Sequence, residues 1–290
     1  MFQSETIKIM TLNTWHGGED VNYGINKILK AVELSGADIV GFQEIPDPGK
    51  EAAEKLGWYY YQNQEGRGNC SIISKYPIIE AFHIDGISAV AALIRLPSGQ
   101  QILVADTHLY HDPYGPYWAI FDRKSNEEII MMENEVRARG MSIVLRELMS
   151  YMASDIPVFL MGDFNTPSHL DWGDDTKSVH DGRIIEWPVS VLAEGAGLID
   201  SYRAIHPDPV ASPGHTWSPV HTPEHPWGDI PHEPQDRIDF IYFRGGRVEV
   251  VNSEVFVVGN PQGYGSHEDN EWPSDHAAVI STFLISVPNA

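Results

Sequence analysis

Short segments with the alternating pattern of β-strands recur along the whole chain, and several follow one another too closely for a helix to lie between them. Four of them are consecutive: Cys70–Ser74, Ile78–His83, residues 89–96 and Gln101–His108. Parallel neighbours need a crossover of a dozen or more residues, so this spacing predicts antiparallel pairs. Further strands are predicted at 6–14, 38–43, 158–161, 239–243, 248–258 and 277–286, and helices at 22–36, 126–152 and 188–195. The mixture predicts an α+β sandwich of β-sheets flanked by helices rather than a doubly wound parallel sheet.

Neither a repeat nor a Gly/Ser-rich linker divides the 290 residues, although the length alone is compatible with two domains. We therefore expect one domain over residues 1–290. The single cysteine, Cys70, excludes an internal disulfide and favours a reducing compartment. The first residues lack the basic and apolar regions of a signal peptide, and no stretch has the length and apolarity of a transmembrane helix. A cytoplasmic protein is the expectation, with a processed secreted form as the alternative.

Six short segments combine a strand-like apolar run with a side chain that can bind a metal or transfer a proton. Five end a strand: Leu-Asn-Thr at 12–14, Gly-Phe-Gln-Glu at 41–44, Asp-Thr-His-Leu at 106–109, Gly-Asp-Phe-Asn at 162–165 and Ser-Asp-His at 274–276. The sixth, Arg-Ile-Asp-Phe-Ile at 237–241, opens a strand. One such residue alone is more commonly a turn former or a helix cap. Six together predict a cluster at one edge of the sheets.

The residue types in this cluster favour hydrolysis of a phosphoester. Oxygen ligands without cysteine indicate Mg²⁺ or Mn²⁺ rather than structural zinc. Glu44 follows a strand that reads as buried, where a cation would compensate its charge. Asp163 and Asn165 are two residues apart and would share one face of an extended segment, one orienting water and the other binding an oxyanion. His108 and His276 each have a carboxylate nearby in sequence and suit acid–base roles.

These motifs, in this order and spacing from residue 11 to residue 284, resemble those of the endonuclease/exonuclease/phosphatase superfamily. Gly-Asp-Phe-Asn together with a C-terminal Ser-Asp-His is the most specific part of the resemblance. The superfamily includes deoxyribonucleases, abasic-site endonucleases, inositol-polyphosphate 5-phosphatases and sphingomyelinases. The resemblance implies a four-layer α/β/β/α sandwich of two mixed β-sheets flanked by helices.

The resemblance also implies a metal site. Glu44 would be the principal ligand, Asn13 would contact the metal or the phosphate, and Asp275 would complete the site directly or through water. Asn69 occupies the position where many members have a further polar substrate-binding residue, with a turn residue as the alternative.

The remaining motif residues would carry the chemistry. By resemblance, His108 would donate to a phosphate oxygen or assist the leaving group, and Asn165 would bind a non-bridging oxygen. Asp163 would position or deprotonate the attacking water. Asp239 would orient His276, which would stabilise the transition state or act as the base, so the identity of the base stays open between Asp163 and His276.

Two variable loops are expected to form the walls of the pocket, because each flanks a motif. Residues 110–118 and 213–232 are rich in aromatic residues, proline and histidine. The predicted substrate-binding side chains are Tyr110, Tyr117, Trp118 and Trp217. They could stack on a sugar, a base or a choline-like group, or simply pack the loops against the domain. A zinc site among the loop histidines, such as His221 and His225, is a minor alternative.

The charge distribution argues against a polyanionic partner. The net charge is −22, and no Lys or Arg lies between Ala204 and Gln235. We therefore expect hydrolysis of a small polar phosphomonoester or phosphodiester, sugar- or polyol-like, by in-line attack of water. A nuclease is the first alternative. A carbohydrate-active hydrolase that reuses the carboxylates and a binding module without catalysis are the others, and the sequence indicates no protein partner.

Overall fold

The strands assemble into two mixed sheets of six strands each in the computed structural model, which describes residues 2–45, 48–62 and 69–288. In chain order they are β1 (Phe2–Asn13), β2 (Ile39–Gln43), β3 (Tyr59–Gln62), β4 (Cys70–Ser74), β5 (Ile78–His83), β6 (Ser88–Arg95), β7 (Gln101–His108), β8 (Val158–Asp163), β9 (Ile199–Asp200), β10 (Asp239–Arg244), β11 (Val248–Phe256) and β12 (Ala278–Pro288). The sheet orders are β11-β12-β1-β2-β4-β3 and β5-β6-β7-β8-β10-β9. Each sheet has one parallel pair, β1 with β2 and β7 with β8, whereas the other pairs are antiparallel.

Helices connect the strands. In chain order they are α1 (Trp15–Gly18), α2 (Gly24–Ser35), α3 (Pro48–Leu56), α4 (Gly115–Ile120), α5 (Asn126–Glu133), α6 (Arg139–Met152), α7 (Pro188–Gly195) and α8 (Ser201–Ile205). A π-helical turn, Asn134–Ala138, joins α5 to α6. Within the described ranges, no helix has the length and apolarity needed to cross a membrane.

Three buried apolar layers hold these elements together. The inner layer lies between the sheets and draws on both, for example Ile9 of β1 and Val104 of β7. Helices α2 and α3 cover the outer face of the first sheet, and α6 and α7 cover that of the second. Each fully buried Val, Ile or Phe in these layers contributes about 1.5–3 kcal/mol. The predicted four-layer α/β/β/α sandwich is confirmed.

The helix predicted over 126–152 is interrupted by the π-helical turn. Arg137 lies in this turn, is fully buried and donates to Glu133 at 2.8 Å. It also donates to the carbonyl oxygens of His111, at 2.7 Å, and Pro113. A π-helical turn adds one residue to the helix while the apolar residues still follow a helical spacing. The sequence pattern therefore does not reveal it. Its consequence is that Arg137 holds the segment that follows β7.

Several short elements have no counterpart in the predictions, namely α1, α3, β3, α4, β9 and α8. Helix α4 begins inside the segment 110–118, which was expected to be a loop, and has Pro116 in its first turn, where a missing N–H is tolerated. These elements are too short to show a full apolar repeat. The predicted loop over 206–235 forms only isolated bridges between Trp217 and residues Asp236 and His276.

Gly162 stands where two parallel strands approach closely. Its φ is +144°, and a Cβ there would lie 1.9 Å from the carbonyl oxygen of Thr107 on β7. We expect Gly162→Ala to lower the free energy of unfolding by about 3 kcal/mol, because backbone strain and overpacking act together. Urea-induced unfolding measures this difference. The control is Gly195→Ala at the end of α7, where the added methyl meets open space; comparable losses in both variants would contradict the explanation.

Candidate active site

Four strands carry a polar side chain where their inner face reaches one edge of the sandwich. Residues four apart on a strand share a face. On β1, Ile9 lies in the inner layer and Asn13 continues the same face. The same spacing applies from Val104 to His108 on β7, from Phe159 to Asp163 on β8, and from Phe243 back to Asp239 on β10. The packing of the two sheets therefore brings these four groups together.

Asp163 is the centre of the hydrogen-bond network at this edge. Its Oδ2 accepts from Asn13 Nδ2 at 3.0 Å, and its Oδ1 accepts from the backbone N–H of Asn165 at 2.8 Å. The same Asn13 amide donates to Glu44 Oε1 at 3.2 Å. Asn13 therefore bridges two carboxylates that come from different sheets. Asp163 is 1% exposed, so these contacts fix its orientation.

Asn165 reaches the site by a turn. The expectation that residues 163–165 are extended is wrong, because β8 ends at Asp163 and Asn165 has a φ of +51°. The Asn165 amide donates to the carbonyl oxygen of Leu109 at 3.0 Å and to Asp163 Oδ2 at 3.2 Å. Both N–H groups of its side-chain amide therefore have partners, while Asn165 itself lines the cavity into which this cluster opens.

Glu44 adopts a left-handed backbone conformation, with a φ of +57°. Its Oε2 accepts from the backbone N–H of His16 at 3.1 Å. Burial raises the pKa of Glu44, but the charges of His108 and His276 and these hydrogen bonds outweigh it and leave the pKa below its usual value. Glu44 is therefore held ionised.

His276 and Asp239 form a buried pair. His276 Nδ1 lies 2.9 Å from Asp239 Oδ2, and its Nε2 lies 3.7 Å from Asp163 Oδ2. Burial opposes a charge on His276, but the two carboxylates raise its pKa well above the usual value. Burial also raises the pKa of Asp239, to about 6, although His276 opposes that shift. The two carboxylates therefore favour the protonated form of His276.

His108 and Asp275 complete the cluster. His108 Nε2 lies 3.5 Å from Asp163 Oδ2 and 3.9 Å from Glu44 Oε1. Asp275 lines the cavity into which the cluster opens. Its Oδ2 lies 3.6 Å from Nε2 of the buried His221. The sequence analysis did not predict this contact between His221 and Asp275.

The donor set suits a divalent cation. Within the described ranges, the potential ligand atoms of Asp163, Asp239 and His276 lie within 4.8 Å of one another. Carboxylates of Glu44 and Asp275 face the same cavity. Such a concentration of buried oxygen ligands is unfavourable without a compensating charge, and oxygen ligands are those that Mg²⁺ and Mn²⁺ prefer.

The cluster opens into a cavity of about 200 Å³ with aromatic walls. The aromatic side chains that line it are Trp15, Tyr114, Tyr117, Trp217 and Trp227. Tyr117 and Trp217 are two of the predicted substrate-binding residues. Trp15, Tyr114 and Trp227 were not among the predicted site residues, although Trp15 follows a motif and the other two lie in the aromatic loops. None of the described residues that line the cavity is Lys or Arg.

Three predicted substrate-binding residues lie outside the lining of this cavity. Tyr110 is 62% exposed and contacts His111. Trp118 packs into a separate cluster beside α5, because its position on α4 directs it away from Tyr117. Asn69 is half-buried and directly precedes β4. Their substrate-binding roles stay predictions.

Asp106 and the loop histidines lie outside the acid–imidazole cluster. Asp106 is fully buried between the sheets, and Gln43 Nε2 donates to its Oδ1 at 2.5 Å. Burial raises its pKa well above the usual value, as expected for a structural carboxyl group. The loop histidines form no group of three potential metal ligands in the described part of the chain.

Comparison with known proteins supports the sequence motifs. Residues 10–276 match the Endonuclease/Exonuclease/phosphatase family. A Caenorhabditis elegans relative, "Uncharacterized protein F14F9.5", is 32% identical over 290 residues, which cover 97% of this chain and 92% of the relative.

Solved structures share the fold at low sequence identity. Truncated C. elegans TDP2 is 18% identical with a TM-score of 0.61, over 96% of this chain and 97% of that one. The human Nocturnin catalytic domain with bound sulfate anion is 16% identical with a TM-score of 0.61, over 97% of both chains. D. rerio TDP2 complexed with single strand DNA product is 15% identical with a TM-score of 0.63, over 96% of this chain and 99% of that one. These similarities establish the fold.

We expect Mg²⁺ or Mn²⁺ to raise the melting temperature of the protein, because a bound cation relieves repulsion among the carboxylates. At a concentration about 100-fold above Kd, the stabilisation is about 2.7 kcal/mol. Glu44→Gln should remove most of this effect, whereas Glu33→Gln, at an exposed position on α2, should retain it. Differential scanning calorimetry with and without EDTA tests this. An equal response in both variants would show that Glu44 is not a ligand.

Proposed function

The chain belongs to the Endonuclease/Exonuclease/phosphatase family, and from that premise we propose that it hydrolyses a small, polar, sugar- or polyol-like phosphoester. Members of this family are metal-dependent hydrolases of phosphoester bonds. The bond cleaved belongs to either a monoester or a diester. We retain Mg²⁺ or Mn²⁺ as the proposed cofactor.

The observation that carries the proposal is the small aromatic cavity directly above the buried acid–imidazole cluster. A volume of about 200 Å³ suits a phosphoryl group with one small attached group. The described lining of the cavity contains no Lys or Arg, so it offers no cationic contacts for further phosphates of a polymer.

Glu44 and Asp275 are the residues that we propose hold the cation, with Asn13 contacting the metal or the phosphate. Asn13 contributes by bringing Glu44 and Asp163 together, since its amide N–H groups donate to both carboxylates. When bound, a divalent cation acts as a Lewis acid toward the phosphoester and neutralises its negative charge.

Asp163 is the proposed base for the attacking water. The carboxylates around His276 favour its protonated form, which has no free site for a proton, and this favours Asp163 of the two candidates. Asn13 and Asn165 orient Asp163 through their amide groups. The role first expected of Asn165, binding a non-bridging oxygen, is replaced by this positioning role, because its donors already have partners.

The two histidines then stabilise the negative charge that develops on the phosphoryl group in the transition state. His276, held by Asp239 and protonated, donates from Nε2 to a phosphate oxygen in the transition state. His108, whose Nε2 faces Asp163 and Glu44, is placed to donate to a phosphate oxygen or the leaving group. When water attacks in line with the leaving group, the negative charge on the phosphoryl oxygens develops between these two donors.

A nuclease is the second candidate. It is supported by the fold shared with D. rerio TDP2, whose structure holds a single-stranded DNA product. Against it stand the net charge of −22 and the lack of Lys and Arg around the cavity.

We expect Asp239→Asn to lower kcat by about 100-fold or more with a small change in KM, because a neutral amide no longer stabilises protonated His276. Asp163→Asn should lower kcat by a similar or larger factor. Steady-state hydrolysis of bis-p-nitrophenyl phosphate with Mn²⁺ measures both. Asp174→Asn, at an exposed position, is the control. Near-normal kcat in Asp239→Asn would refute the role of the His276 pair.

The substrate class is tested by phosphate and product release from a panel. It contains sugar phosphates, inositol phosphates, sphingomyelin, plasmid DNA and RNA, each with Mg²⁺, Mn²⁺ or EDTA. We expect turnover of a small phosphoester that EDTA abolishes. Nicked plasmid or degraded RNA with little small-ester turnover would instead support the nuclease.

A further inference from the structure

A buried carboxylate stands behind the aromatic side of the cavity. Glu233 is 1% exposed and accepts three hydrogen bonds. Its Oε1 accepts from Tyr117 Oη at 2.5 Å and from Trp217 Nε1 at 2.8 Å, and its Oε2 accepts from the backbone N–H of Trp227 at 2.7 Å. Glu233 therefore joins Tyr117, which is 116 residues away in sequence, to two tryptophans of its own loop.

Asp236 makes the equivalent contacts to the fourth aromatic residue. It is buried, and its Oδ2 accepts from Tyr114 Oη at 3.1 Å while its Oδ1 accepts from Trp172 Nε1 at 2.9 Å. Glu233 and Asp236 both line a second cavity, of about 360 Å³, behind the aromatic residues. We call Tyr114, Tyr117, Trp217 and Trp227 the aromatic wall.

The aromatic wall is also anchored from the other side. Arg137 donates to the backbone carbonyl oxygens of His111 and Pro113, which lie just before Tyr114. The Tyr114 and Tyr117 rings meet edge to face, with centroids 4.9 Å apart. The wall is therefore organised before any substrate binds, which reduces the entropy lost on binding.

The polar atoms of the wall are turned away from the substrate. Burial, and next the charges of Asp236 and Glu233, raise the pKa values of Tyr114 and Tyr117 well above the usual value, so both phenols stay protonated and donate to the carboxylates. The indole N–H of Trp217 is used in the same way. All three side chains line the cavity, and because their polar atoms are bonded to buried carboxylates, their rings are what they offer a substrate.

We propose that the aromatic wall is the subsite for the non-phosphate part of the substrate, and that it takes a ring with an apolar face rather than an open-chain polyol. An open chain would bury hydroxyl groups against rings that offer them no partner, whereas a pyranose or a nucleobase can stack. Glu233 is the positioning residue of this subsite. The inference rests on the proposed function; it removes open-chain polyols from the proposed substrate class and admits a nucleobase as well as a cyclic sugar.

The test compares matched ligands with and without a ring. Glucose 6-phosphate, sorbitol 6-phosphate and AMP are assayed as inhibitors of Mn²⁺-dependent bis-p-nitrophenyl phosphate hydrolysis. Their binding is also followed by quenching of tryptophan fluorescence in the presence of EDTA, which requires no turnover. We expect at least one cyclic ligand to bind about tenfold more tightly than sorbitol 6-phosphate, the size of a favourable stacking contact. Tighter binding of glucose 6-phosphate would indicate a subsite for a sugar, and tighter binding of AMP a subsite for a nucleobase.

Variants of Glu233 test its positioning role. Glu233→Ala should abolish the preference for rings and raise KM for bis-p-nitrophenyl phosphate, while kcat stays within about threefold, since the catalytic cluster is untouched. Glu233→Gln should be intermediate, because an amide can accept from Tyr117 and Trp217 but not also from the Trp227 N–H. Glu224→Gln, an exposed acid in the same loop, is the matched control. If Glu233→Ala fails to fold, Tyr117→Phe removes one anchoring bond and keeps the ring.

Equal binding of the three ligands by the unmodified protein would overturn the ring subsite, as would an unchanged ring preference in the folded Glu233 variants. Phosphoester turnover without a ring preference contradicts this inference alone. The absence of any metal-dependent phosphoester turnover contradicts the proposed function, and the fluorescence titration still tests the subsite in that case.

Discussion

The face-to-face packing of the two sheets is the constraint on which the rest of this structure depends. The inner apolar layer aligns strands from both sheets, so alternation along each strand determines which polar residues emerge at the shared edge. Asn13 then bridges Glu44 of one sheet region to Asp163 of the other. Deeper in the same layer, Gln43 and Asp106 connect the sheets through a buried hydrogen bond. A shift of one residue in any of these strands would turn its polar group out of the site.

Electrostatics explain why so many anchoring contacts surround this edge. Several carboxylates are buried close together, and each needs a hydrogen-bond donor, an imidazolium or a cation to offset its desolvation. Asn13, the His16 backbone N–H and His276 supply part of this compensation. The aromatic wall shows the same principle, because Glu233 is buried only where three donors meet it. Both sets of acids thereby acquire fixed geometry, which a site for chemistry requires.

The predictions from sequence succeeded where one strand or one motif was sufficient. Strand β7 has the predicted bounds, and Asp239 and His276 pair as the motifs imply. They were wrong where the outcome depended on a turn or on the packing of a loop. Asn165 arrives through a left-handed residue rather than an extended segment, and Trp118 turns into a core beside α5. The roles assigned to individual site residues stay predictions.

The sequence by itself determined the longer strands and helices, the family motifs and the residue types at the sheet edge, because these follow from local periodicity and spacing. Only the tertiary structure decided which aromatic residues face the cavity and what holds them there. Tyr117 and Glu233 are separated by 116 residues, and no local pattern relates them. Their hydrogen bond exists because α4 and the loop over 206–235 pack on the same edge of the sandwich.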